Sequence, residues 1–139
     1  MPADIRPVTE RFAVASQLSP DDVAGLAGRY VLLINNRPDG EETGQPCGEE
    51  IEAAAQAAGL AYAAVPIAGL PGPGEIAAVR DAVAAADGPV LAFCRSGMRS
   101  IVAWAAGEAD QGRAPDELRR LGADAGYDLG PPLQRLLGR

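Results

Sequence analysis

The feature that most constrains this chain is an apolar run followed by a short polar loop and a helix-forming run. Val90–Phe93 is typical of a buried strand, Cys94–Ser100 of a loop, and Ile101–Ala106 of the body of a helix. A cysteine therefore ends a strand just before a helix N-terminus. Backbone amides and the helix dipole at such a place bind anions and favour the thiolate form of a cysteine. We therefore expect Cys94 to be a nucleophile in an anion-binding loop.

Apolar runs and helix-forming stretches alternate along most of the chain. Strands are predicted at 12–15, 30–34, 61–65 and 90–93, and helices at 20–28, 49–58, 75–86, 98–111, from 114 to 122 or 126, and 133–137. This alternation predicts an α/β fold with a parallel sheet covered on both faces. Ligands bind such sheets at the C-terminal strand ends, where the loops at Cys94 and Asn35 are expected. No linker divides the chain, so we expect residues 1–139 to form one domain.

Composition narrows the chemistry and the partners. The chain contains no histidine, and its two cysteines cannot build a zinc site by themselves, so no metal or other cofactor is expected. A net charge of −7 without a basic stripe argues against nucleic acid and anionic membranes as partners. No apolar run is long enough for a membrane span, and the N-terminus lacks a signal-peptide layout. We therefore expect a cytoplasmic protein, and the sequence does not fix its oligomeric state.

The neighbours of Cys94 suit an anion-binding loop better than a buried strand end. Gly97 permits close backbone approach or a positive φ. Arg99 can bind an oxyanion through two N–H groups, and Ser100 can donate its hydroxyl to the thiolate. The other candidate substrate-binding residues of the loop are Arg95, Ser96 and Met98.

A second group of candidates lies in the loop after the predicted strand 30–34. The segment Arg37–Gly40 is most simply a turn, because proline, aspartate and glycine suit turn positions. Its expected place beside the cysteine loop also allows Arg37 to bind an anion and Asp39 to act as a general acid. Glu41 and Glu42 follow directly as further acids.

The heptad Cys-Arg-Ser-Gly-Met-Arg-Ser resembles the active-site loop that cysteine phosphatases and rhodaneses share with variation. The segments 15–19, 34–42, 58–62 and 125–129, with Asn-Asn-Arg-Pro-Asp-Gly-Glu among them, extend the resemblance over almost the whole chain. Together they resemble the phosphatase-like domain of beta-lactamase-hydrolase-like proteins, a bacterial family also described as sulfur transferases. The resemblance implies a three-layer protein-tyrosine-phosphatase-like fold with a four- or five-stranded parallel sheet flanked by helices. Members of the family are found joined to persulfide-oxidising domains, which favours sulfur chemistry by analogy.

The spacing within the loop bears on the group that is transferred. Tyrosine-phosphatase-like enzymes place five residues between cysteine and arginine, whereas four separate Cys94 from Arg99 and Ser100 takes the usual arginine position. Phe93 stands where these phosphatases usually have histidine, and the loop Pro66–Gly74 offers no aspartate to protonate a leaving oxygen. Sulfane sulfur transfer needs no such acid. We therefore expect a sulfurtransferase that carries sulfur as a Cys94 persulfide from a small anionic donor to an acceptor thiol.

Two alternatives stay open. A cysteine phosphatase would form a phosphocysteine at Cys94, bind the phosphoryl oxygens with Arg99 and use Asp39 as the acid in hydrolysing a phosphate monoester. A non-enzymatic module would bind anions or sense oxidants, because a thiolate without an acid still reacts with peroxide. Cys47 is either an incidental surface cysteine or a resolving thiol or sulfur relay to Cys94.

Overall fold

A five-stranded sheet forms the middle layer of the fold. The computed structural model describes residues 4–138. The strands are β1 (Ile5–Pro7), β2 (Phe12–Ala15), β3 (Leu32–Asn35), β4 (Ala61–Ala64) and β5 (Val90–Phe93). Their order across the sheet is β1-β2-β5-β3-β4, with β1 antiparallel to β2 and the other four strands parallel. The expected α/β sheet is confirmed, with an antiparallel edge strand that the sequence did not predict.

Six helices within the described residues cover the two faces of the sheet. They are α1 (Pro20–Ala24), α2 (Gly48–Ala57), α3 (Pro73–Ala85), α4 (Met98–Asp110), α5 (Pro115–Asp124) and α6 (Gly130–Leu137). The longest, α3 and α4, have 13 residues each. No helix within residues 4–138 is long and apolar enough to cross a membrane.

The first helix begins where the sequence predicts but ends earlier. Ser19 Oγ accepts a hydrogen bond from the Asp22 amide at 3.1 Å, and Asp22 Oδ2 accepts one from the Ser19 amide at 2.9 Å. This capping box fixes the helix start. The predicted end near Gly28 is wrong, because the helix stops at Ala24. Beyond it the amide of Leu26 bonds to the carbonyl three residues earlier, and the chain turns at Gly28, whose φ is +78°.

The sheet buries apolar side chains on both faces because successive strand residues point to opposite sides. Phe12, Val14, Ile34 and Ala92 pack on one face against α3, α4, α5 and α6. Ala13, Leu33, Leu91 and Phe93 pack on the other face against α1 and α2. Phe12 and Trp104 stack with ring centroids 5.0 Å apart and an interplanar angle of 7°, so Trp104 is part of the core.

The register of the three central strands sets the place of the candidate site. Phe93, the last residue of β5, lies between Ala15 of β2 and Asn35 of β3. The amide of Asn36 donates to the carbonyl oxygen of Phe93 at 2.8 Å. Cys94 and the loop beginning at Asn36 therefore leave the sheet side by side at its C-terminal edge.

Candidate active site

Cys94 directly follows the central strand, and its side chain is buried. The amide of Gly97 donates a hydrogen bond to the Cys94 sulfur at 3.1 Å. Gly97 has φ of +93° and is the N-cap residue of α4, a backbone conformation that side-chain-bearing residues rarely adopt. The turn therefore directs a backbone N–H at the sulfur, and this donor stabilises negative charge there.

Tyr127, which follows α5, covers the cysteine loop. Its hydroxyl donates a hydrogen bond to the Ser96 carbonyl oxygen at 2.8 Å. A β-carbon at Gly97 would collide with that hydroxyl, so the glycine leaves room for the tyrosine. Burial raises the pKa of Tyr127 and outweighs the opposite effect of the nearby Arg6, so the phenol stays protonated as a donor. The sequence singled out Tyr127 only because the segment 125–129 resembles the family. Nothing in the sequence predicted that Tyr127 contacts the cysteine loop.

Arg99 is held by a carboxylate from the neighbouring loop. Glu41 Oε2 accepts from Arg99 Nη1 at 2.8 Å, and Glu41 Oε1 accepts from Arg99 Nη2 at 2.8 Å. Arg99 Nη1 also donates to the Ile67 carbonyl oxygen at 2.6 Å. Hydrogen bonds from Arg99 and then Arg37 lower the pKa of Glu41 to about 2. Glu41 is therefore ionised at neutral pH and holds no proton for a leaving group.

Arg37 lies buried behind Glu41. Its Nε donates to Glu41 Oε1 at 2.8 Å and its Nη2 to Glu42 Oε1 at 3.1 Å. Its Nη1 donates to Gln17 Oε1 at 3.1 Å. Only 3% of Arg37 is exposed, and each guanidinium nitrogen already has a protein acceptor. In this arrangement Arg37 orients Glu41. The predicted contact of Arg37 with a substrate anion stays a hypothesis.

Arg99 nevertheless keeps one side available to a ligand. Glu41 binds Nη1 and Nη2 from the end of the guanidinium, so these hydrogen bonds leave the Nε side of Arg99 to other partners. The hydrogen bond to Glu41 raises the pKa of Arg99, and the neighbouring Cys94 contributes to the rise. The candidate nucleophile and the guanidinium of Arg99 therefore adjoin each other.

The other predicted loop residues line the rim. Arg95 is 69% exposed in its side chain and lies 3.6 Å from the carboxylate of Glu42. Ser96 Oγ accepts a hydrogen bond from the Met98 amide at 3.3 Å. Ser100 is fully buried, and its hydroxyl has no hydrogen-bond partner within residues 4–138. The expected bond from Ser100 to the thiolate is not formed in this state, and the hydroxyl is free to make another.

Asp39 and Cys47 lie at the start of α2. Asp39 Oδ1 accepts a hydrogen bond from the amide of Gly48, the first residue of α2, at 2.8 Å. The carboxylate therefore stabilises the N-terminus of this helix. Cys47 contacts Glu50 Oε1 through its sulfur at 3.3 Å. Both cysteines are free thiols, so the predicted relay from Cys47 to Cys94 stays a hypothesis.

Residues 4–111 match the family model described as "Beta-lactamase hydrolase-like protein, phosphatase-like domain". The chain belongs to this family. A beta-lactamase hydrolase-like protein of Xylella fastidiosa is 41% identical over 126 residues, which cover 88% of this chain and 29% of that protein. The chain thus spans less than a third of the length of the curated relatives it matches.

Two solved structures extend the comparison of this phosphatase-like domain. A Neisseria meningitidis protein named "putative phosphatase" is 30% identical, with a TM-score of 0.82 over 95% of both chains. Tk-PTP in its active form is 15% identical, with a TM-score of 0.72 over 96% of this chain and 93% of its own. At that identity the second likeness concerns the fold alone, and it confirms the expected protein-tyrosine-phosphatase-like fold. Among the functions weighed from the sequence, these findings favour the phosphatase alternative over sulfur transfer, which they leave unconfirmed.

Proposed function

We propose that this phosphatase-like domain hydrolyses phosphate monoesters through a covalent intermediate on Cys94. The observation that carries the proposal is the Gly97 amide on the Cys94 sulfur, beside the Nε side of Arg99 that Glu41 does not bind. A nucleophile and a guanidinium so arranged can attack a phosphoryl group and bind its oxygens. Membership of a phosphatase-like family supports phosphate as the anion.

The reaction has two steps. In the first, the Cys94 thiolate attacks phosphorus, an S–P bond forms, and the P–O bond to the leaving group breaks with its electron pair on oxygen. Arg99 and the loop amides stabilise the charge on the phosphoryl oxygens. In the second, water attacks phosphorus, the S–P bond breaks, and phosphate and the Cys94 thiolate are released.

The carboxylates of the site restrict which esters can react. Glu41, with a pKa of about 2, is bound by two arginines, and Asp39 is bound to the Gly48 amide. Neither carboxylate is poised in this state to protonate an alkoxide, although Asp39 was the sequence-based candidate for that role. We therefore infer that the substrates are esters whose leaving oxygen is stable as an anion, such as aryl phosphates.

A series of aryl and alkyl phosphates tests this proposal. Rates of the wild-type protein are expected to rise steeply as the pKa of the leaving alcohol or phenol falls, with para-nitrophenyl phosphate fast and alkyl phosphates unreactive. Cys94→Ser should abolish turnover, whereas the matched control Cys47→Ser should retain it. Turnover of aryl phosphates by Cys94→Ser, or equal rates for aryl and alkyl esters, would contradict the proposal.

Sulfane sulfur transfer is the second candidate, and the loop length favours it. Four residues separate Cys94 from Arg99, one fewer than in tyrosine-phosphatase-like loops, and sulfur transfer needs no general acid. In this reaction the Cys94 thiolate attacks the outer sulfur of thiosulfate, the S–S bond breaks, and sulfite leaves. Cyanide then takes the sulfur from the Cys94 persulfide as thiocyanate and regenerates the thiolate. Thiocyanate formation without aryl phosphate turnover would make this candidate the better account.

A further inference from the structure

A small apolar groove opens beside the candidate active site. Its volume is about 300 Å³, and it lies between the loop before α3, the first turns of α4 and the start of α6. Its apolar lining consists of Leu70, Pro71, Met98, Val102, Pro131 and Pro132. Arg99 and Arg135 also line it. A ligand bound to Arg99 therefore has an apolar surface next to it.

The groove exposes apolar surface that the core does not use. Leu70 is 46% exposed and is one of two large apolar side chains, with Val31, that are exposed within residues 4–138. Val102, by contrast, is 3% exposed and forms a firm floor. A volume of about 300 Å³ is at the lower end for small-molecule sites, so the groove suits one ring rather than a protein surface.

The charged side chains that line the groove are positive, whereas the chain as a whole is negative. The protein carries a net charge of −7, yet the lining holds two arginines and no carboxylate. Arg99 has Glu41 as a partner, whereas the exposed Arg135 has no ion-pair partner within residues 4–138. Charge complementarity therefore favours an apolar ligand with an anionic group at each end.

We propose that this groove binds the leaving group of the substrate, an aromatic ring that carries a second anion. The phosphoryl group reacts at Cys94, the ring lies against Leu70 and Val102, and a carboxylate on the ring pairs with Arg135. The assignment of the reacting end rests on the proposed phosphatase function, whereas binding in the groove does not require turnover. The substrate class is therefore a small aryl phosphate with a carboxylate.

Binding of two uncleavable probes by the wild-type protein, measured by calorimetry, tests this assignment. para-Carboxyphenylphosphonate is expected to bind about two- to fivefold more tightly than phenylphosphonate, the range for a solvent-exposed ion pair. Arg135→Gln should remove that preference, and the matched surface control Arg120→Gln should keep it. The assignment would be overturned if the wild-type protein bound the two probes equally or bound neither of them. It would also be overturned if the two variants lost the preference to the same extent.

A second variant tests the apolar part of the groove. Leu70→Ser should weaken the binding of both probes by a similar factor of about three to ten. The factor is similar because Leu70 contacts the ring that both probes share and not the carboxylate. Unchanged affinity in Leu70→Ser would contradict the ring position, and a melting temperature near that of the wild type excludes misfolding as the cause of a loss.

Measurements of ester hydrolysis distinguish a failure of the groove assignment from a failure of the proposed phosphatase function. Cys94-dependent hydrolysis of phenyl phosphate without preference for the carboxylated ester would reject the groove and retain the phosphatase. Tight, Arg135-dependent binding of the carboxylated probe without hydrolysis of either ester would retain the groove and reject the phosphatase.

Discussion

Glu41 and Arg99 form an end-on ion pair in which both N–O distances are 2.8 Å. The pair joins the loop after β3 to the first turn of α4, and Arg37 binds the same carboxylate from behind at 2.8 Å. Because the carboxylate is held on two sides, it fixes the direction of Arg99. The Nε side of Arg99, which Glu41 does not bind, is thereby held in a fixed direction.

Glu41→Gln should lower both stability and activity. A neutral amide accepts weaker hydrogen bonds, so we expect a loss of about 1–3 kcal/mol in the free energy of unfolding. A less oriented Arg99 should lower kcat/KM for aryl phosphates by about tenfold. Glu49→Gln, an exposed substitution in α2, is the control. Unchanged kcat/KM in Glu41→Gln would show that the ion pair does not orient Arg99 for catalysis.

The same carboxylate predicts a dependence of stability on acid pH. Its pKa is about 2 in the folded protein against 4.5 for a free glutamate. The lower folded value means that its contribution is complete above pH 4.5 and is lost as the pH falls towards 2. Urea unfolding across this range should show a smaller loss in Glu41→Gln than in the wild type. Parallel curves for the two proteins would contradict the assignment.

Gly97 and Tyr127 should behave as a coupled pair. Gly97→Ala places a β-carbon against the tyrosine hydroxyl and forces a left-handed φ, which by itself costs about 1–2 kcal/mol. Tyr127→Phe removes the bond to the Ser96 carbonyl oxygen and should cost about 1 kcal/mol. The double variant should be more stable than the sum of the two losses, because the collision is relieved. Strict additivity in chemical denaturation would argue against this contact.

Ser100→Ala should slow the reaction without lowering the stability of the protein. The buried hydroxyl has no partner within residues 4–138, so its removal should leave stability unchanged or raise it by up to about 1 kcal/mol. We expect the second step to slow by about tenfold if the hydroxyl donates to the departing thiolate. Stopped-flow assays would then show an unchanged burst followed by slower turnover. An unchanged steady-state rate would assign Ser100 a packing role.

The segment around Cys94 was predictable because its signals are local. The strand Val90–Phe93 and the start of α4 at Met98 lie where the apolar runs and Gly97 indicate. β1 escaped prediction because it has three residues, includes Pro7 and is stabilised by pairing with β2 rather than by its own pattern.

The contacts that shape the candidate site could not be derived in this way. Arg99 and Glu41 are 58 positions apart in the chain, and Tyr127 lies 31 positions after Ser96. Only the folded sheet brings these residues together, so local spacing carries no signal for their contacts. Asp39 illustrates the same limit, because its helix-capping bond depends on where α2 begins.

The covalent step at Cys94 is the central claim, and rapid-quench intact-protein mass spectrometry tests it most directly. With para-nitrophenyl phosphate, the wild-type protein should gain the mass of one phosphoryl group, located at Cys94 and absent from Cys94→Ser. A gain of one sulfur atom from thiosulfate, without a phosphoryl adduct, would show that Cys94 transfers sulfur rather than phosphate. Turnover of aryl phosphate without any adduct on Cys94 would contradict it.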